Sequence, residues 1–311
     1  MGAPNAAITP QSHASRRWAV RIRLLRGSLS YFWHGLVRRP MALLGGIVVL
    51  VYILAAIFAP HITVHDPIKG DLHKRLLPPA WQDGGDPAHL LGTDSLGYDI
   101  LTRMIFGTRV SLLVGFLSVG IFVAVGTALG ALAGYYGGLL DNVISRVTDL
   151  LLAFPLLIFA IAVVAFLGPG LTNLMVALSL KGWVGFFRLV RGEMMAEKTK
   201  EYVKAAKVVG QSDLAIIASE IMPNIVHSVL VLATLRLGSM VQAAAALDFL
   251  GLGVQPPTPV LGRMVGEGRN FILNAWWIST FPGIAIVLLV VSINVFGEGL
   301  RDILDPRQKV E

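Results

Sequence analysis

The sequence predicts an all-α polytopic membrane protein with six transmembrane helices, on three observations. Of its 311 residues, 55% are hydrophobic and only 14% charged, with a mean hydropathy of +0.69. A soluble domain carries about 25% charged residues, so this chain has too few charges to cover a surface in water. Its apolar residues fall in six runs of the length a bilayer requires, about 20 residues each. All but three of its 26 basic residues, Lys181, Arg188 and Arg236, lie outside those runs. No large soluble catalytic domain fits beside six spans. The absence of cysteine excludes disulfides, thiolate metal sites and a cysteine nucleophile.

Residues 1–40 form a basic arm holding Arg16, Arg17, Arg21, Arg23, Arg26, Arg38 and Arg39, with no Asp or Glu. The apolar run behind it is too long for a cleavable signal and lacks a small-residue cleavage site. Leu29, Tyr31, Phe32, Trp33, Leu36 and Val37 lie among the basic residues and fit an interfacial helix on anionic lipid; a frayed basic tail is the alternative. Residues 41–60 form the first span, closed by Pro60, and residues 61–109 an external segment rich in Pro, Gly and Asp. Five spans fill 110–300: Val110 to Gly138, Leu150 to Leu167, Leu171 to Val190, Ile225 to Leu247 and Trp277 to Phe296. The breaker Gly168-Pro169-Gly170 separates the third from the fourth, and Trp276 and Trp277 are interfacial anchors. A tail, 301–311, ends the chain.

With six spans both termini lie on one side. Placing the N-terminus in the cytoplasm puts 17 basic residues inside and seven outside, which satisfies the positive-inside rule. The arm alone accounts for the net charge of +7. That charge argues for orientation and lipid contact, and gives no support to nucleic-acid binding.

Between the fourth and fifth spans lies a loop, 191–224, containing EYVKAAKVVGQSDLAIIASEIMPN from Glu201 to Asn224. Tyr202, Ala205, Ala206 and Val209 recur at helical spacing, with Glu201, Lys204 and Lys207 on other faces. Gly210 breaks this helix, permitting a sharp turn or a close backbone approach. By itself the pattern is a connecting helix on the membrane surface. The pair Ala205-Ala206, three residues, Gly210, then twelve residues to Pro223 resembles the "EAA" loop of binding-protein-dependent ABC importer permeases. Lys204 and Met222 depart from the residues usual there.

A second segment, HLLGTDSLGYDILTRMIFGTRVSL from His89 to Leu112, resembles the C-type permeases of dipeptide, oligopeptide and nickel importers. Pro78 to Asp94 looks most like the dipeptide branch, and Ala246 to Met264 and Gly297 to Arg307 fit it. Tyr98 stands where such permeases usually carry Arg. The resemblance implies a type I ABC importer permease fold in a bacterial inner membrane, paired with a homologous B-type permease. Two ATP-binding subunits holding ATP and Mg would dock at Glu201, Tyr202, Ala205, Ala206, Val209, Gly210 and Pro223. An external solute-binding protein would deliver a peptide; nickel, opine or haem are the alternative cargoes. The chain itself would bind no cofactor and catalyse nothing. Accordingly, it has no GxxxxGK[ST], GxSxG or HExxH motif.

Gly126, Gly130, Gly134 and Gly138 recur every fourth residue, as on helix faces that approach closely in membranes. Packing inside the subunit is the simpler reading, contact with the partner permease the other. Lys181 and Arg236 lie within spans, where a charge costs about 2.5–3.5 kcal/mol on insertion scales and so faces protein or water. They either line the translocation path or, respectively, snorkel and pair with an acid across the interface. His61, His65, His73 and His89 share the external segment with Asp66, Asp71, Asp94 and Asp99, without a helical or EF-hand spacing, so no metal site is expected. GTDSLGYD instead builds Asx-type turns and docks the partner permease or the binding protein. An ion-coupled transporter would show inverted repeats and midplane carboxylates, and a membrane-embedded enzyme clustered His, Asp or Glu. The six runs offer neither, apart from Asp248 near an end.

Overall fold

The computed structural model describes residues 35–304. The interfacial-helix reading of the arm lies almost wholly outside them, as does most of the 301–311 tail. Helix α1 (Pro40–Ile57) opens on a proline at its first position, where the missing N–H is harmless. It buries Ala42, Gly45, Val49 and Ala56. A methyl group on Gly45 would sit 2.8 Å from Ser292 O of the last helix. Met41, Leu44, Ile47, Leu50, Val51 and Leu54 are exposed on its other sides, a surface suited to lipid rather than water.

Helix α2 (Ile100–Tyr136) is 37 residues long and begins well ahead of the expected Val110. The Asp99 carboxylate accepts from Thr102 N at 2.8 Å, an N-cap that starts the helix here. Arg103 belongs to the helix because Asp94 neutralises it. The third span is not the single straight run expected from Leu150 to Leu167. Helix α3 (Gly138–Leu152) and helix α4 (Leu156–Leu167) meet at a 92° bend. Pro155 supplies no N–H and disfavours a helical conformation at Phe154. Asp141 and Thr148 are buried on α3 while Leu139, Val143, Val147 and Leu150 are exposed.

Helices α5 (Leu171–Gly182) and α6 (Val184–Glu197) make one apolar unit of 27 residues. After helix α7 (Glu201–Val208), a π-helical turn at Ile216–Ile221 leads into helix α8 (Met222–Phe249), so the apolar helix runs from Asp213 rather than Ile225. Helices α9 (Leu261–Gly268) and α10 (Trp277–Leu304) complete the described residues. Among the described residues, five helical segments are long and apolar enough to cross a membrane, and α3–α4 makes a sixth if the bent pair is one span. The fold is all-α and polytopic.

The bundle is held most closely where α2 crosses α6. A methyl group on Gly126 would lie 2.5 Å from Trp183 O, on Gly130 2.8 Å from Phe187 O, and on Gly134 2.7 Å from Arg191 O. The three glycines thus bring two backbones together, and packing replaces the hydrophobic drive that lipid abolishes. Gly138 is not part of this face: it opens α3 at φ +62°, with nothing within 4 Å of a methyl group there.

At the opposite end of α2 the segment 58–99 folds into turns. Asp94 accepts from Leu96 N at 2.9 Å and Tyr98 N at 3.0 Å and pairs with the buried Arg103. Tyr98 lies under Arg103, 4.8 Å from ring centroid to guanidinium. Trp277 Nε1 donates to Thr93 O at 3.1 Å and ties this segment to α10.

Gly130→Leu forces overpacking against the Phe187 carbonyl and is expected to destabilise the membrane-inserted chain by about 1–3 kcal/mol. Gly120→Leu, at a position with nothing within 4 Å, is the control. Thermal unfolding in nanodiscs would read both, and equal melting temperatures would show that the backbones do not meet at Gly130.

Candidate functional site

Two places gather the residues singled out by the sequence. The first is the end of the bundle that carries α7. Helix α7 turns Tyr202, Val203 and Ala206 inward and leaves Glu201, Lys204, Ala205 and Lys207 exposed. Val208 and Val209 are 87% and 86% exposed. The expected stripe of Tyr202, Ala205, Ala206 and Val209 therefore does not form one face. Its members divide because Val203 takes the core position at 0% exposure. What the protein presents outward is an apolar knuckle of Ala205, Val208 and Val209, with Leu214 also exposed beyond the turn. Gly210 makes that turn at φ +85°, with nothing within 4 Å of a methyl group there. Its role is left-handed backbone, not close approach. Pro223 sits in the first turn of α8.

This knuckle is fastened to three spans. Tyr202 Oη donates to Glu197 at 2.8 Å, at the end of α6, and accepts from Asn224 Nδ2 of α8 at 3.3 Å. Burial and the Glu197 carboxylate hold the Tyr202 phenol above its ordinary pKa, so it stays a donor. Lys198 Nζ donates to Gly134 O at 2.8 Å, and Lys207 stands 5.0 Å from the Tyr135 ring centroid. Tyr135 Oη in turn donates to Asp213 at 2.6 Å. Helix α7 is therefore bonded to the ends of α2, α6 and α8. Tyr135 and Asp213 escaped the sequence reading, because their partnership spans 78 positions and has no local pattern.

The second place is a cavity of about 280 Å³ among α3, α4, α5, α6 and α8. Lys181 and Arg236 both line it, together with Gly185, Arg188, Leu152 and Met240. The buried Lys181 ammonium donates to the Phe154 carbonyl, an acceptor released by the break between α3 and α4. Arg236 is exposed on α8 and has no ion pair among the described residues. A methyl group on Gly185 would sit 3.2 Å from its Nη2, so the glycine makes room for the guanidinium. Below the cavity α3 is locked to α6 by Arg188–Asp149 at 2.7 Å and a two-pronged Arg191–Asp141 pair, Nη2 to Oδ2 2.6 Å. Asp248, the acid set apart by the sequence, accepts from Val254 N at 2.8 Å and closes the turn after α8.

Comparison with known proteins agrees with this architecture. Residues 126–310 match the model for the "Binding-protein-dependent transport system inner membrane component" family, and residues 28–79 the "N-terminal TM domain of oligopeptide transport permease C". The "Dipeptide transport system permease protein DppC" of Haemophilus influenzae is 43% identical over 90% of this chain and 95% of its own. The "Di/tripeptide transport system permease protein DppC" of Pseudomonas aeruginosa is 42% identical over 90% and 93%. The "Glutathione transport system permease protein GsiD" of Pectobacterium atrosepticum is 40% identical over 93% and 95%. Among solved structures, a chain of the MetNI methionine ABC transporter in an inward-facing conformation superposes with a TM-score of 0.55 at 18% identity, covering 66% of this chain and 98% of that one; it speaks for the fold alone. The extended helices, the α7 knuckle and these matches lead to one conclusion: the chain is a multi-pass membrane protein that belongs to the family of binding-protein-dependent ABC importer permeases.

Proposed function

We propose that this chain is the C-type permease subunit of an ATP-driven importer of di- or tripeptides. The observation that carries the coupling half of the reading is the exposed apolar knuckle Ala205, Val208, Val209, fastened to α2, α6 and α8. In this reading two ATP-binding subunits, which hold ATP and Mg, grip the knuckle. Their closure shifts the attached spans between two discrete arrangements. A homologous B-type permease completes the path, and an external solute-binding protein delivers the cargo. The chain's own part is mechanical, without catalysis. The excess of basic residues at the α7 end and in the arm supports placing both termini in the cytoplasm.

The peptide cargo is taken from the names that the relatives carry, and the cavity chemistry is compatible with it. Arg236 presents at mid-span a guanidinium with no ion pair among the described residues, a fork suited to a carboxylate, while Lys181 is already occupied by the α3–α4 break. Arg236, rather than Lys181, is the residue of this chain assigned to meet a peptide's terminal carboxylate.

Val209→Asp puts a charge into the docking surface without touching the core. Peptide uptake by proteoliposomes holding the full complex is expected to fall at least about tenfold, the effect of losing about 1.4 kcal/mol or more of docking energy. Insertion of the chain is expected to stay normal, and wild-type uptake would refute the docking role. Gly210→Val strains a left-handed position by about 1–2 kcal/mol and should raise ATP hydrolysis relative to peptide transported; an unchanged ratio would remove the turn from coupling. For the path, Arg236→Gln is compared with the lipid-facing Val287→Ala. A several-fold rise in the half-saturating peptide concentration is expected for Arg236→Gln alone, and equal transport by the two would take Arg236 out of the path.

A further inference from the structure

Away from both places, the fold assembles a group of side chains whose sequence spacing carries no metal signature. One ring nitrogen each of His65 and His89 and a carboxylate oxygen of Asp99 lie within 4.8 Å of one another. His65 stands near the start of segment 58–99, His89 near its end, and Asp99 is the N-cap of α2. His89 and Asp99 are each 5% exposed, while His65 is half-buried and forms the side from which an ion would enter.

The surrounding bonds prepare these groups as ligands. His65 Nε2 lies 2.8 Å from Ala88 O. A carbonyl only accepts, so Nε2 carries the hydrogen and Nδ1 keeps a free lone pair. The second oxygen of Asp99 accepts from Thr102 N at 2.8 Å. Such outer bonds orient metal ligands and fix their tautomers. His89 Nδ1 and Asp99 Oδ1 share a hydrogen bond at 3.0 Å, and an ion bound by both at about 2.0–2.2 Å takes the place of the shared proton. The two imidazole rings stack with centroids 4.5 Å apart at 24°, which holds them side by side at one place. The neighbouring cations do not compete for Asp99, since Arg103 is held by Asp94 and Lys74 by Asp86 at 2.9 Å.

We propose that His65, His89 and Asp99 form a structural site for a zinc-class divalent cation, with solvent in the remaining position. Two imidazoles and one carboxylate suit zinc better than magnesium or calcium, which take oxygen ligands. The ion would staple the beginning of the external segment to the head of α2, holding the turns built around the buried Asp94 and Thr93 in one arrangement. It is neither cargo nor the nucleotide's metal, and the proposal is independent of what is imported.

The full chain, purified from membranes in nanodiscs without a histidine tag, is titrated with zinc against a chromophoric chelator. The bound metal is counted by mass spectrometry after dialysis. One zinc per chain is expected for the wild type and for His73→Ala, whose histidine lies outside the group. His65→Ala, a half-buried position whose loss spares the Asp99 cap, is expected to weaken binding at least about tenfold, no less than the loss of an outer-shell partner costs. Cobalt(II) should give the intense visible bands of a low-coordinate nitrogen–oxygen site in the wild type and lose them in His65→Ala. Equal zinc content and affinity in wild type and His65→Ala, or a cobalt spectrum of the aquo ion, would overturn the site and leave the three residues as a hydrogen-bonded stack.

Discussion

Helices α2 and α6 touch backbone to backbone at Gly126, Gly130 and Gly134, where even one added methyl group would come within 2.8 Å of a carbonyl oxygen or closer. In water such a contact would be one of many, driven by burial. Inside a bilayer the surrounding lipid is as apolar as the protein, so close packing and internal hydrogen bonds have to supply the association. That constraint reaches both ends of the molecule. At one end it delivers Gly134 and Tyr135 to Lys198 and Lys207. At the other it sets the head of α2, with its Asp99 cap and Arg103, against the turns of segment 58–99.

Helix α7 has only eight residues and would be marginal in isolation. It is kept in place by the Tyr202–Glu197 and Tyr202–Asn224 bonds and by burial of Val203. The outward residues are thereby free of structural duty. Val208 and Val209, 87% and 86% exposed, are the apolar residues that the proposed docking partner would cover.

The break between α3 and α4 shows how the cavity came to hold charge. Pro155 ends a helix inside an apolar run, and the stranded Phe154 carbonyl needs a donor where water is scarce. The Lys181 ammonium fills that need. Lys181, for which the sequence offers a path position or snorkelling, thus satisfies a local backbone break, while Arg236, opposite Gly185, has no ion pair among the described residues. Arg188–Asp149 and Arg191–Asp141 then hold the amphipathic α3 against α6, with its apolar stripe turned outward.

Composition and apolar run length alone determined the all-α, membrane-spanning class, since a bilayer admits few ways to satisfy a backbone. The Ala205-Ala206…Gly210…Pro223 spacing was equally legible, because a short helix and its stop signal are local. Helix ends were less so: α2 starts at Ile100 because Asp99 caps it and Asp94 neutralises Arg103, pairings that a charge count reads as loop. Which face of α7 points outward, which of Lys181 and Arg236 keeps its charge available, and the meeting of His65 with His89 and Asp99 were decided only by the tertiary structure. Each depends on partners distant along the chain, and distance in sequence carries no information about proximity once helices have packed.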